Sequence, residues 1–157
     1  VTAPEEMAAA IERYAALEST GWKGREGTAV AAGTPQARFY TRWLTLAAAR
    51  GEARVCELVV VESGQVIAAD LCVVRDGTLV LLKIAYDEAH ARHSPSSLLR
   101  REFLADVFAQ PSVRRIEFFG RLMDWHRRWT SDHRGLYHLT HYRWAWLRKL
   151  RGASGRV

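Results

Sequence analysis

The chain has 157 residues, 48% of them hydrophobic and 25% charged, a balance that supports one buried core and excludes disordered, collagenous and fibrous classes. No apolar run approaches the roughly 18 residues of a membrane span, and the N-terminus has neither a basic n-region nor an apolar h-region, so the expected location is the cytoplasm. The net charge of +6 is unevenly placed, since residues 1–88 carry 9 basic and 12 acidic side chains while residues 89–157 carry 14 and 5. The basic part also holds all six histidines, and it suits a nucleic acid, an anionic surface or a nucleotide cofactor as well as a plain solvated face. A first residue of Val1 rather than Met reads as a piece of a longer protein.

In chain order, Thr2-Ala3-Pro4 opens a helix with proline near its first position and Glu5 and Glu6 in its first turn, where carboxylates suit the dipole. Met7, Ile11, Tyr14 and Ala15 then recur at helical spacing. Gly21, Gly24 and Gly27 break the pattern and predict a surface loop that presents Trp22, Lys23 and Arg25, the type of loop that often binds a ligand. A second helix has Thr34 as its cap, Pro35 at its first position and Gly51 past its end, with Phe39, Trp43, Leu46 and Ala47 as the expected inward stripe.

Three strands follow at about 54–62, 66–75 and 78–86, joined at Ser63-Gly64 and Asp76-Gly77, whose glycines accept the positive φ of tight hairpins. They form an antiparallel meander with apolar runs at 58–61 and 79–82 that predict cover on both faces. With Ser63-Gly64 as a two-residue loop, Cys56 pairs with Leu71 and Cys72 with Val55. The two sulfurs then point to opposite faces and stay reduced. A helix from Ser94-Pro95 to Gln110 turns Leu98, Leu99, Phe103 and Val107 inward. A short strand at 115–119 stops at Gly120, a helix sets Leu122, Trp125 and Trp129 at i, i+3, i+7, and a strand at 136–142 leads into a basic tail. The expected class is α/β (α+β), a single domain over 1–157 in the order α-α-β-β-β-α-β-α-β, with a mixed, mostly antiparallel sheet and helices on both faces.

That order makes the third and fourth strands parallel neighbours, and ligands gather beyond their carboxyl ends, at residues 84–87, 93–99 and Gly120. Ser94-Pro95-Ser96-Ser97 suits an anion there: Pro95 preorganises the turn, Ser94 can cap, the next amides are free, Ser96 and Ser97 bring hydroxyls, and Arg100 and Arg101 stand near. The competing reading is a capped helix with nothing bound. His90 and His93 find no Cys or carboxylate pattern to complete a metal site, and neither a nucleophile elbow nor a P-loop is present.

Three stretches converge on one family: Leu17-Glu18-Ser19-Thr20-Gly21-Trp22-Lys23-Gly24, then Ala85-Tyr86-Asp87-Glu88, then His93-Ser94-Pro95-Ser96-Ser97-Leu98-Leu99. They resemble the acetyltransferase domain of the cellulose-biosynthesis type, a FemAB-related branch of the GNAT superfamily. Glu117-Phe118-Phe119-Gly120 and Trp125-His126-Arg127-Arg128-Trp129-Thr130 look like its closing signature, so the resemblance spans residues 17–143. It implies an N-acyltransferase that uses acetyl-CoA or another acyl-CoA. The acceptor would be a small-molecule or glycan amine or hydroxyl in exopolysaccharide or cell-envelope metabolism. A related preceding domain is a family habit and is expected as a partner. By position, the resemblance sets Lys83, Ile84 and Ala85 along the pantetheine arm and Ser94, Ser96, Ser97 and Leu98 at the pyrophosphate, with Arg100 beside them. Ser96 stands where the family commonly has glycine, His126 replaces its lysine, Trp125 its tyrosine and Glu117 its aspartate.

Amine acylation needs a base, a polar group for the developing oxyanion and an acid for the leaving thiolate. Glu117 is the candidate base, set against an ion pair with Arg114 or Arg115. His126 is a candidate base or acid, set against a structural histidine held between Trp125 and Trp129. Tyr86 is the candidate acid, and Asp87 either orients the amine or only ends the strand. Trp22, Lys23 and Trp125 are the candidate acceptor pocket. Two alternatives stay open: an aminoacyl transferase using charged tRNA, which the basic aromatic segment 138–151 would contact, and a noncatalytic domain that keeps the fold for binding.

Overall fold

A computed structural model of the protein describes residues 1–137, 139–144 and 146. The chain falls into two compact units, Val1–Arg121 and Leu122–Val157. The first unit contains α1 (Met7–Thr20), the one-turn α2 (Trp22–Arg25), α3 (Pro35–Ala48), β1 (Ala53–Val59), β2 (Val66–Arg75), β3 (Thr78–Tyr86), α4 (Pro95–Phe108) and β4 (Arg115–Phe118), with 3-10 turns at Pro4–Glu6 and Glu88–His93. The strands lie in the order β1-β2-β3-β4. The meander is antiparallel, and β4 joins β3 in parallel.

The two faces of this sheet are covered differently. Helices α1 and α3 lie on one face, where Met7, Ile11, Tyr14 and Leu44 meet Val55, Ala69, Leu71 and Ala85 in a single buried cluster. Helix α4 crosses the other face over β1, β2 and β3 and buries Leu99, Phe103, Leu104 and Val107, while Leu98 is 40% exposed rather than inward. The stripe of α1 is buried as its spacing predicts.

The stripe of α3 shares only Ala47 with the expected one. Ala37, Leu44, Ala47 and Ala48 face the core, whereas Phe39 and Leu46 are 58% and 54% exposed. Both sets fall at helical spacing, and hydrophobicity alone favours the larger side chains. The buried side of α3 meets Ala10 and Ala15 of α1 together with the larger Met7, Ile11 and Tyr14. Phe39 instead makes an edge contact with Tyr40 and a tilted one with Trp43, at 5.4 and 5.6 Å between ring centroids. Replacement by alanine separates the two stripes: Leu44→Ala is expected to cost about 2–5 kcal/mol and Leu46→Ala under about 0.5 in urea denaturation.

The first hairpin carries a second correction. Val60 N–H donates to the Gln65 carbonyl at 2.9 Å and Gly64 N–H to the Val60 carbonyl at 2.8 Å, so the turn is wider than Ser63-Gly64, and the register slips between Leu58 and Val59. Cys56 therefore pairs with Asp70 and Arg54 with Cys72. A one-residue slip reverses the face of every side chain, so both sulfurs lie under α4. They are free thiols joined by a hydrogen bond, which together with burial pushes the Cys72 thiol up. The Asp76-Gly77 turn forms as its residues predict, with both φ positive at 51° and 76°.

In the second unit, the expected helix with Leu122, Trp125 and Trp129 is only a 3-10 turn, Asp124–Arg128. Of the expected strand at 136–142, the described residues 136, 137 and 139–142 lie in none, and His138 is outside the described residues. Trp144 and Trp146 are exposed. Most of the tail, including Leu150, falls outside the described residues.

Candidate active site

The sheet opens into a fork between β3 and β4. Parallel pairing ends where Leu81 meets Phe118, closed by the Phe119 N–H on the Leu81 carbonyl at 3.0 Å. Strand β3 then continues to Tyr86, and among the described residues no strand pairs with 82–86 on that side. The register against β2 jumps from Leu71↔Lys83 to Cys72↔Leu81, so Leu82 is an extra residue. Such a bulge bends its strand, which is the local cause of the fork.

Hydrogen-bond alternation states which backbone groups face the gap. Asp87 N–H bonds the Ile67 carbonyl, so Ala85 and Lys83, two and four residues earlier, also turn their backbone to β2. Ile84 and Tyr86 turn theirs outward. Of the three residues expected along a cofactor arm, Ile84 alone offers backbone groups to the gap. Ala85 is buried in the α1–α3 core, and the side chain of Lys83 lies on that same face.

A buried carboxylate holds the far side of this gap together. Glu18, on the inward stripe of α1, accepts from the Tyr14 hydroxyl at 2.9 Å, the Lys23 ammonium at 2.6 Å and the Val30 N–H at 2.7 Å. Lys23 Nζ also donates to the Ile84 carbonyl at 2.8 Å, and Lys83 Nζ stands 3.8 Å from the same Glu18 oxygen. Burial lowers the Lys83 pKa and, with the charge of Glu18, raises that of Tyr14. The loop expected at 21–27 is thus one helical turn pinned to β3. Gly24 is required there, because a Cβ would overlap the Ser19 carbonyl. Trp22 exposes its ring, while its N–H donates to Glu88 at 2.7 Å. Arg25 pairs with the same carboxylate at 2.9 Å, and its hydrogen bond, with that of Trp22, holds Glu88 below the usual carboxylate range.

On the other side of the fork, Ser94 is left-handed, with φ 49° and ψ 53°, and its side chain makes no cap hydrogen bond. The Ser97 and Leu98 amides both close on the Ser94 carbonyl at 2.8 and 3.1 Å. Because proline has no N–H, the Ser96 amide is the group in this turn still available to a ligand. The Ser96 hydroxyl is enclosed without a hydrogen-bond partner, so it does not stand beside the amide as a second donor. Arg100 also departs from expectation. Its buried guanidinium is turned under the helix to Asp70 on β2, Nε to Oδ2 3.3 Å. Asp70 is fully buried, and burial, opposed by Arg100, pushes its pKa up to about 6.

The remaining candidates divide between the faces. Glu117 lies beside Val80, itself opposite Val73, which places it on the α1–α3 face, 3.5 Å from Arg115. Tyr86, opposite Ala68, belongs to the α4 face with Asp70. The Asp87 carboxylate caps Ala89 N–H at 2.9 Å and meets Gln65 and His90 at 3.1 and 3.2 Å, on the β2 side of β3 rather than in the gap. In the second unit, His126 is buried, stacks on Trp125 at 3.6 Å and accepts the Met123 N–H on Nδ1 at 2.9 Å. It therefore caps its own turn. Tyr14, Glu18 and Asp70 were missed as chemistry by residue-type reasoning. Their signal was a charge in an apolar position: Glu18 four residues after Tyr14 on the stripe, and Asp70 within Ala68-Ala69-Asp70-Leu71-Cys72.

The chain thus combines a mixed sheet, split beside a bulge, with a helix that starts next to the split. Residues 1–127 match the family described as acetyltransferase (GNAT) domain, and the chain belongs to it. Solved structures share the fold. An aminoglycoside acetyltransferase from an uncultured soil metagenomic sample is 14% identical, with a TM-score of 0.62 over 89% of this chain and 94% of that one. A possible acetyltransferase from Clostridium difficile 630 is 10% identical, with a TM-score of 0.58 over 88% and 91%. Glucosamine-6-phosphate N-acetyltransferase from Arabidopsis thaliana is 10% identical, with a TM-score of 0.58 over 87% and 94%. No curated protein sequence matches the chain. Among the described residues, no helix is long and apolar enough to cross a membrane.

Proposed function

We propose that the chain transfers an acyl group from acetyl-CoA or another acyl-CoA to an amine on a small molecule or glycan. The observation that carries this reading is the fork, whose outward Ile84 and Tyr86 backbone can pair with an arm that has amides of its own. The cofactor supplies an activated thioester. The Ser96 amide at the start of α4 receives the pyrophosphate, and Ile84 holds the arm. With the phosphates on the α4 face, the acceptor enters from the α1–α3 face, past Trp22. Glu117 on that face takes the proton from the amine, directly or through water, as the nitrogen gains the acyl carbon. Tyr86 on the opposite face gives a proton to the departing thiolate. A place in exopolysaccharide or envelope metabolism, with a related domain as partner, rests on the motifs around Trp22 and Ser94.

Calorimetry and thermal shift with acetyl-CoA test the cofactor. At about 100 times Kd the stabilisation is expected near 2.7 kcal/mol, and saturating acetyl-CoA that gives neither heat nor stabilisation refutes the reading. Glu117→Gln is expected to keep acetyl-CoA affinity and lose about 100-fold or more in turnover, measured by thiol release. Full turnover removes Glu117 from the mechanism.

A further inference from the structure

The acceptor face of the fork carries more positive charge than its own carboxylate can match. Two ammonium groups converge on one oxygen, Glu18 Oε1: Lys23 at a hydrogen-bonding 2.6 Å and Lys83 at 3.8 Å. That carboxylate is committed already, to the Tyr14 hydroxyl and Lys23 through Oε1 and to the Val30 amide through Oε2. Lys83 thus receives Coulomb attraction from Glu18 without a hydrogen bond. Among the described residues, no other carboxylate forms an ion pair with Lys83. Glu117 on this face stands against Arg115, Glu88 holds Arg25, and Asp70 meets Arg100 across the sheet. Asp87 is turned to Gln65 and His90.

Desolvating an ammonium costs several kcal/mol unless an anion or hydrogen bonds replace the water. Burial accordingly lowers the Lys83 pKa against the opposing pull of Glu18, with Lys23 adding to the fall. Yet 18% of the Lys83 side chain and 21% of that of Lys23 stay exposed, so a ligand can reach both heads. Lys23 is fixed by the Ile84 carbonyl at the gap itself, which sets this pair of charges beside the reacting position rather than at a remote surface.

We propose that the acceptor is an amine bearing an oxyanion, a carboxylate or phosphate, which Lys83 and Lys23 recognise together. The inference rests on the transferase reading and names the acceptor class for that same site. The oxyanion completes a cluster of two cations and two anions, and the acceptor amine is then held by its acidic group with the nitrogen directed to the fork. A polycationic amine meets two ammonium groups at the same place and is disfavoured.

The test gives the acetyl-CoA-saturated protein two matched pairs, phosphoethanolamine against ethanolamine and β-alanine against propylamine, together with an aminoglycoside, and follows thiol release. Binding of each amine to the CoA-bound protein is measured by calorimetry. The acidic member of at least one pair is expected to have a kcat/KM about 10-fold or more above its neutral partner, the size of a charge-assisted hydrogen bond, and which pair responds distinguishes phosphate from carboxylate. Lys83→Met should collapse that ratio towards one, and Lys83→Arg should restore it. Equal or better use of the neutral amines or the aminoglycoside, a ratio unmoved in Lys83→Met, or no saturable binding by either acidic amine overturns the inference. If Lys83→Met does not fold, loss of the ratio in 0.5 M salt with Lys83→Arg still selective at low salt decides it instead, because screening weakens such a contact. Failure of acetyl-CoA itself to bind defeats the transferase reading, whereas acetyl-CoA binding with neutral amines preferred defeats the acceptor class alone.

Discussion

Arg100→Met is expected to destabilise the fold by about 3–5 kcal/mol, because it strands a buried carboxylate. Asp70 is fully buried on β2, and the guanidinium 3.3 Å away is its ion-pair partner. Both of its carboxylate oxygens are enclosed. With Arg100 removed, Asp70 takes up a proton at still higher pH than its present value of about 6. The double variant Asp70→Asn/Arg100→Met should recover more than half of the loss, since the charge and its partner leave together. Urea denaturation followed by tryptophan fluorescence measures all three. A loss below about 1 kcal/mol in Arg100→Met, or simple additivity in the double variant, would show that the two charges are not coupled.

The same pair sets a pH dependence with a definite sign. The folded pKa of Asp70 lies above its ordinary 3.8, at about 6, so the folded state binds the proton more tightly than the unfolded chain. Its stabilising contribution is complete below pH 3.8 and is lost as pH rises through 6. Glu88 has the opposite sign, being held below its ordinary 4.5, and its contribution fades only as the pH falls under that value. Between pH 4 and 7, Asp70→Asn should therefore flatten the fall in stability with rising pH. A slope in that window unchanged by the substitution would assign it to another group.

Glu18→Ala is the second large effect, also expected at about 3–5 kcal/mol. The Tyr14 hydroxyl, the Val30 amide and the Lys23 ammonium all lose their acceptor at once, and Lys83 loses its nearest countercharge. Glu18→Gln is milder, at about 1–2 kcal/mol, because an amide oxygen still accepts from one or two of these donors. In that variant the ammonium of Lys23 keeps the Ile84 carbonyl but loses its ion pair, which loosens α2 over the gap. Limited trypsin digestion reads this directly, as faster cleavage after Lys23 with the rest of the chain intact. If Lys23 stays as protected in Glu18→Gln as in the natural chain, Glu18 is not what pins the segment. A merely structural effect would raise cleavage throughout.

Much of this was legible from residue order. The caps Thr34-Pro35 and Ser94-Pro95, the turn Asp76-Gly77 and the strand patterns located α3, α4, β2 and β3 closely, since φ limits and pattern act locally. The parallel neighbourhood of β3 and β4 followed from the helix between them. What failed was relative placement. Leu46 and Leu44 are both leucines on one helix, and which of them is buried depends on which face of α3 meets α1 and the sheet. Ser94, Ser96 and Arg100 have the right types for phosphate, yet a left-handed Ser94, an enclosed Ser96 hydroxyl and an Arg100 turned beneath the helix leave mainly one amide.

By itself, then, the sequence determined the order and type of the principal elements of the first unit and membership of the GNAT superfamily, and it pointed to a corner where a cofactor is expected, because each of these rests on short-range preference or on motifs read in order. Only the tertiary structure decided the bulge at Leu82, the face shared by Cys56 and Cys72, and the meeting of Glu18 with Lys23 and Lys83. Those depend on a one-residue register and on a helix packing against a strand more than 60 positions away. Side chains so far apart in the chain find their partners through the backbone path between them, and that path is set by packing rather than by any local pattern.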